Sequence, residues 1–399
     1  MGRQATSLAA ATGVAQGLLA LLYILAARGS GPEALGSAVS AVALATAGVG
    51  FIDFGTNSHW VREIARGTLS LGEFSSRLTG KIVAATGLAA VWTTLMLLFD
   101  RNSLSWTAGP IMLCLLINQS LQVSLRAAAR GELVAIAILS DRMVALSLFA
   151  VLTVAHFNGA AVIWVCLCCG SVTASVVGFR LTKRTLRPNL RAAARINPWR
   201  GASFYGLATL ANTSQALDLP VLSLAGGATA AGIYGAVNRW TQPMSLLANA
   251  FSTAAAPLIS RAGNIVDAWK HLRKAMWMLA AAIVLSGGIA VASPLIIELL
   301  LGASYEDSIA ALRLLAVATI FSIVAQPLSV VLQSLGRDRF VAGVLAGAVL
   351  IQLALVMALG SQLRATGAAI SYLVVEVLQF IAMGIGAYVE YRRGRVDGV

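Results

Sequence analysis

The chain has 399 residues, of which 58% are hydrophobic and only 11% charged, with a mean hydropathy of +0.82. Soluble domains carry about 25% charged residues, so a soluble fold is excluded and an integral membrane protein is expected. The net charge of +13 does not point to nucleic acid, because the basic residues fall in every second loop, the pattern that orients a membrane protein. Continuous runs rich in Leu and Ala, without period-two alternation, disfavour a membrane β-barrel.

A hydrocarbon core about 30 Å thick takes roughly 20 apolar residues per helical crossing. Twelve spans are expected, near residues 6–27, 35–55, 79–99, 106–125, 134–155, 160–179, 202–225, 229–258, 275–295, 310–333, 339–360 and 366–388. The first run has the basic start and small-residue end of a signal peptide. It is longer than a usual signal core and a second span follows at once, so it is read as an uncleaved helix. With the N-terminus inside, 23 of the 29 Lys and Arg residues fall on the cytoplasmic side, including Lys81 and the seven from Arg180 to Arg200. Only Arg28, Arg101 and Arg364 fall outside, while Arg142, Arg239 and Arg313 lie within spans. This asymmetry implies an even number of spans with both termini cytoplasmic.

The basic segment with Pro188 and Pro198 divides the spans into two sets of six. An N-lobe over 1–180, a linker over 181–200, a C-lobe over 201–390 and a tail over 391–399 are expected. Gly36 in Leu35-Gly36-Ser37-Ala38 corresponds to Gly232 in Ala231-Gly232-Ile233-Tyr234, an offset of 196 residues. Each second helix then runs into a segment with Trp and Arg, namely Trp60, Arg62 and Arg66, or Arg261, Trp269 and Arg273. Two halves of like orientation imply a parallel repeat about an axis along the membrane normal, with a cavity between lobes.

Polar groups inside the spans are the candidate site residues, because ionisable groups at membrane depth are costly. Arg239 lies about 15 Å into the eighth span, near the midplane. Asn238 and Gln242 are its neighbours, with Tyr234 a turn earlier; Asn212 and Gln215 lie on the preceding span. Two roles stay open for Arg239: a cavity cation for a phosphate, or an ion pair with Asp218, which sits just before Pro220. Asp141 and Arg142 are adjacent on the fifth span, about 100° apart around the helix, and a snorkelling position near its cytoplasmic end is favoured. Arg313 gets the same reading, beside Glu306 or Asp307. Glu376, with Tyr372 and Gln379, either lines a cavity or joins two helices. Asn118, Gln119 and Gln122 are read as glue between helices. The four cysteines lie in apolar runs, no metal or cofactor site is expected, and His59, His156 and His271 form no catalytic spacing.

Ile52-Asp53-Phe54-Gly55-Thr56-Asn57, followed by Val61-Arg62-Glu63-Ile64-Ala65-Arg66, resembles the end of the second helix in the polysaccharide-export flippases. These are the oligosaccharide flippases of the multidrug/oligosaccharidyl-lipid/polysaccharide exporter superfamily. Leu224-Ala225-Gly226-Gly227, Ala231-Gly232-Ile233-Tyr234, Gln242-Pro243 and Ala256-Pro257-Leu258-Ile259-Ser260-Arg261 resemble its seventh and eighth helices. The resemblance implies a two-lobed transporter in a bacterial plasma membrane. Such a protein moves a polyprenyl-pyrophosphate-linked oligosaccharide to the outer leaflet by alternating access, coupled to H+ or Na+, with membrane lipids and glycan-assembly proteins as partners. The first span departs from some relatives: it has Gln16 but no carboxylate, and no basic residue other than Arg28 at its outer end. A proton site of the drug-antiporter kind and a role with peptidoglycan precursor are therefore disfavoured. An ion-coupled drug or metabolite exporter, and a membrane glycan polymerase or ligase, are the competing readings.

Overall fold

A computed structural model of the chain describes residues 2–100, 103–238 and 265–396. No strand occurs among them, and eight of their helices are long and apolar enough to cross a membrane. Two of the eight exceed one crossing. In α1 (Gly2–Asp53) the apolar stretch Ala10–Asp53 covers 44 residues, about 66 Å against a hydrocarbon core of roughly 30 Å. It bends at Gly31, whose φ of 74° and ψ of 168° belong to glycine, just before Pro32. The last helix, Asp338–Val396, bends in the same way at Arg364, with φ 51°. Both bends fall where the sequence analysis puts a short connection, so each of these helices carries two expected spans.

Packing divides the chain into two compact units, Met1–Ser223 and Leu224–Val399. In the first, α1 is followed by α2 (Thr56–Arg66), α3 (Leu71–Phe99), α4 (Ala108–Leu121), α5 (Val123–Ala127), α6 (Gly131–Val154), α7 (Gly159–Leu181) and α8 (Ser203–Ser214). Next comes α9 (Asp218–Gly226), which holds the unit boundary. The second unit then has α10 (Ala228–Asn238), α11 (Ile265–Leu300), α12 (Ser308–Ser334) and α13 (Asp338–Val396). From sequence α8 is expected in the second lobe; its packing groups it with the first unit. Along α3, Val83, Leu88, Val91, Leu98 and Phe99 are exposed, as expected of a helix whose outer face meets lipid.

The break between α1 and α2 positions the features that matter below. Phe54 and Gly55 both take positive φ, 42° and 73°, which ends one helix and starts the next in a new direction. Gly55 is required twice, by its left-handed backbone and by its neighbour: an added Cβ would lie 2.5 Å from Tyr205 Cβ and 2.6 Å from its carbonyl carbon. Gly206 in turn faces the Phe54 ring, and Gly50 faces the Thr213 side chain. Small residues on both sides thus let α1 and α8 meet closely.

The short α2 starts after Gly55, with the Asp53 carboxylate accepting from Asn57 N, and closes through Gly67, also at positive φ, whose N–H donates to Ile64 O. It buries Trp60 edge-on against Phe74, with ring centroids 5.6 Å apart. Ser70 and Glu73 then cap α3 reciprocally, each side chain accepting from the other's N–H.

The basic linker is not a free tether. Its backbone is strapped to the start of α3: Asn189 N donates to Ser75 Oγ (2.9 Å), Ser76 Oγ donates to Ala193 O (2.7 Å), and Arg195 N donates to Ser76 Oγ (3.0 Å). Trp199 Nε1 donates to Ile52 O at 2.7 Å, tying the strap to the end of α1.

Gly55→Ala is expected to cost about 1–3 kcal/mol through the left-handed backbone alone, with the Tyr205 clash added. The purified protein should show a lower unfolding midpoint in detergent. Gly87→Ala, whose Cβ meets nothing within 4 Å, should leave the midpoint near wild type, and equal midpoints for the two variants would contradict the packing described.

Candidate functional site

The expected hairpin is only partly described. Arg239 and Gln242 lie outside the described residues, as does the side chain of Asn212. Of the rest, Gln215 starts a single 3-10 turn, Gln215–Leu217, that breaks α8 from α9. The break has a chemical cause: Pro220 has no N–H to donate to the carbonyl four residues back, that of Ala216. Asp218 opens α9 and is buried, its Oδ1 accepting from Leu219 N at 2.6 Å. On α10, Tyr234 is fully buried and Asn238 is half-buried. Ser308 Oγ of α12 donates to Ile233 O at 3.0 Å, fixing α10 within the second unit.

The most completely described polar cluster sits at the break between α1 and α2. Lys81 of α3 is fully buried and reaches three acceptors: Asp53 Oδ1 at 2.5 Å, Thr56 Oγ1 at 2.8 Å and Asn57 Oδ1 at 2.9 Å. Asp53 Oδ1 also accepts from Thr56 Oγ1 (3.0 Å) and from Asn57 N (3.2 Å). The Trp60 ring lies 4.8 Å from Nζ and closes the cluster from one side. A buried charge is tolerated when it is paired and hydrogen-bonded, and an ammonium has three N–H donors; here all three have acceptors. From sequence Lys81 is expected among the cytoplasmic loop cations; instead it lies inside α3 and out of water. A signal was present, since Asp53, Thr56 and Asn57 are polar groups set close together in an apolar stretch, and a lysine inside an apolar helix needs a partner.

A second chain of polar groups crosses the first unit. Gln122 Nε2 donates to Asn118 Oδ1 at 2.7 Å, and Asn118 Nδ2 donates to Asp141 Oδ2 at 3.3 Å. Asp141 is buried, and Arg142 Nη1 stands 3.8 Å from its Oδ1. The snorkelling position favoured from sequence does not hold for Asp141. Nor does the divergence of adjacent side chains keep the two apart, because the long arginine folds back. Gly170 of α7 allows this packing, since a Cβ there would lie 2.5 Å from both the carbonyl and the carboxylate of Asp141.

In the second unit, Glu376 is buried and bonded to Tyr372 on its own helix and to Ser322 on α12. The bond to Ser322 joins α13 to α12, one of the two roles left open for it. Arg313 Nε donates to Ser293 Oγ at 3.0 Å, joining α12 to α11 rather than meeting Glu306 or Asp307. Among the described residues no group of three or more His, Cys, Asp or Glu side chains is placed to hold a metal.

A buried, fully bonded cation and several buried carboxylates thus sit inside apolar helical bundles. Residues 1–263 match the model of a family described as "Polysaccharide biosynthesis protein". The chain belongs to that family. Among solved structures it is similar to a lipid II flippase, MurJ, in an inward closed conformation, with a TM-score of 0.76 and 13% identity over 94% of this chain and 86% of that one. It is also similar to an inward-facing multidrug resistance MATE family transporter of the MOP superfamily, with a TM-score of 0.68 and 17% identity over 96% of this chain and 94% of that one. A MOP superfamily transporter from Pyrococcus furiosus aligns with a TM-score of 0.60 and 16% identity over 99% and 95% of the two chains. No curated protein matches by sequence. The protein is therefore a multi-pass membrane protein of a polysaccharide biosynthesis family with the MOP transporter fold, and the solved proteins it resembles are transporters and a flippase, not enzymes.

Lys81→Met should destabilise the protein by about 3–5 kcal/mol, because Asp53 is left buried and unpaired. Adding Asp53→Leu should recover much of that loss, since apolar replacement of a whole buried pair is often neutral. Thermal unfolding of the single and double variants in detergent checks this; a double variant no more stable than Lys81→Met would contradict it.

Proposed function

We propose that this protein is a flippase that carries a polyprenyl-pyrophosphate-linked oligosaccharide from the inner to the outer leaflet of a bacterial plasma membrane. The observation that supports this most is the joint one: membership of a polysaccharide biosynthesis family in a chain with the MOP transporter fold. Twelve spans with cytoplasmic termini, in two lobes of six, would let the head group cross by alternating access driven by H+ or Na+. Arg239 would hold the pyrophosphate, because a guanidinium stays charged when buried and forks onto two phosphate oxygens. Asn238, Gln242, Tyr234, Asn212 and Gln215 would serve the polar head group. Asp218 is the partner proposed for Arg239 between transport steps, Asp141 with Arg142 is proposed for ion coupling or as an ion pair, and Glu376 is proposed to serve the head group with the other polar residues.

A strain lacking the protein should accumulate lipid-linked oligosaccharide in the inner leaflet and lose surface glycan. Arg239→Ala should reproduce that loss at unchanged protein level, while Arg239→Lys should restore it in part. Normal surface glycan with no trapped intermediate would overturn the proposal. Export of small amphiphiles by the purified protein, without movement of the lipid-linked glycan, would favour the exporter reading.

A further inference from the structure

The end of the first unit that carries the linker holds a group of cations that the buried clusters do not use. Arg62 of α2 donates through Nη1 to Tyr205 OH at 2.7 Å. Arg77 of α3 donates through Nη1 to the backbone carbonyl of Arg200 at 3.2 Å, which brings the linker's last arginine beside it. His59 sits between them: its ring centroid is 6.2 Å from that of Tyr205, and a Cβ added to Gly201 would lie 2.9 Å from its Nε2. The backbone under this group is held in place, since Trp199 is tied to Ile52 and Ala202 N donates to Trp199 O at 3.1 Å.

The nearby carboxylates hydrogen-bond to other groups but still act electrostatically on these cations, Glu63 on Arg62 and Glu73 on Arg77 and Arg200. Glu63 accepts from Thr68 Oγ1 and faces Arg66 at 4.0 Å; Glu73 accepts from the Ser70 N–H and hydroxyl in the cap of α3. No carboxylate among the described residues stands within ion-pair distance of Arg62, Arg77 or Arg200. Arg77 Nε is also out of water without a hydrogen-bond partner, and a buried donor left unmade costs about 1–3 kcal/mol. Burial holds the His59 imidazole below its usual pKa; the Glu63 charge opposes this, and the charges of Arg77 and Arg62 add to it.

We propose that Arg62, Arg77 and Arg200, with Tyr205 and His59, form a binding site for the pyrophosphate of an isoprenoid lipid at the cytoplasmic leaflet, separate from the cavity residues proposed above. Three guanidinium groups match the two adjacent charged phosphates of a pyrophosphate diester better than the single charge of a phospholipid diester. Their planar forks suit the paired oxygens. The amphipathic α2 belongs to a segment that the charge asymmetry of the sequence assigns to the cytoplasmic side. The identity of the lipid rests on the flippase reading; the presence of a phosphate site does not.

The test uses the full-length protein in nanodiscs of neutral lipid, titrated with farnesyl pyrophosphate, with phosphatidylglycerol and with inorganic pyrophosphate. Farnesyl pyrophosphate should bind more tightly than phosphatidylglycerol, and Arg62→Gln and Arg77→Gln should each weaken it about tenfold or more. Arg392→Gln, on the far end of α13, should not. Tyr205→Phe keeps all three cations but frees Arg62, and should give a smaller loss. Unfolding midpoints close to wild type show that any loss is not misfolding. Unchanged binding in both arginine variants overturns the site. Equal binding of phosphatidylglycerol, lost in the same variants, overturns the pyrophosphate assignment. If farnesyl pyrophosphate binding is lost as expected but the wild type moves no lipid-linked glycan, the site stands and the flippase reading fails.

Discussion

Desolvation of charge is the constraint on which the rest of this structure depends. An ammonium taken from water into a helical bundle costs several kcal/mol unless every donor finds an acceptor. Lys81 meets that condition by gathering Asp53, Thr56 and Asn57 around itself. To bring those three groups to one place, α1 must end at Asp53 and α2 must leave in a new direction. That turn needs the left-handed pair Phe54–Gly55, and the absent Cβ of Gly55 is what lets α8 approach. The buried pair, the break and the contact with α8 are thus one arrangement.

The same arrangement explains the linker. A chain of basic residues between two bundles would ordinarily be a solvated loop. Here Ser75 and Ser76 bond to its backbone and Trp199 reaches Ile52, so its path follows the helix ends. The backbone bonds leave Lys183, Arg184, Arg191, Arg195 and Arg200 exposed. Positive charge near an anionic leaflet is worth about 1 kcal/mol per residue, which favours holding this end of the unit at the membrane surface.

Much of the fold was legible in the sequence because hydrocarbon imposes a simple rule: apolar runs of sufficient length must be helices. The spans near 134–155, 160–179 and 310–333 match α6, α7 and α12 to within a few residues. The bends at Gly31 and Arg364 fall at the expected connections, although the helices run through them. The polar site was less legible. Periodicity places a residue on a helix but not the partner it meets on another, so Lys81 reads as a loop cation and Asp141 as a snorkelling residue near the end of its span. Arg142 meeting its own neighbour depends on side-chain length, which a helical wheel ignores. The Asp53-to-Asn57 motif was recognised for its resemblance, whereas its chemical purpose required α3 to be seen beside it.

The most direct measurement of the central claim is transbilayer movement in proteoliposomes holding the purified protein and a polyprenyl-pyrophosphate-linked oligosaccharide labelled on its sugar. Chemical modification or lectin capture from one side reports the fraction of label that has crossed. The account predicts protein-dependent movement, faster with an imposed H+ or Na+ gradient and lost in Arg239→Ala. Movement no faster than in protein-free vesicles, in the presence of either gradient, would contradict it.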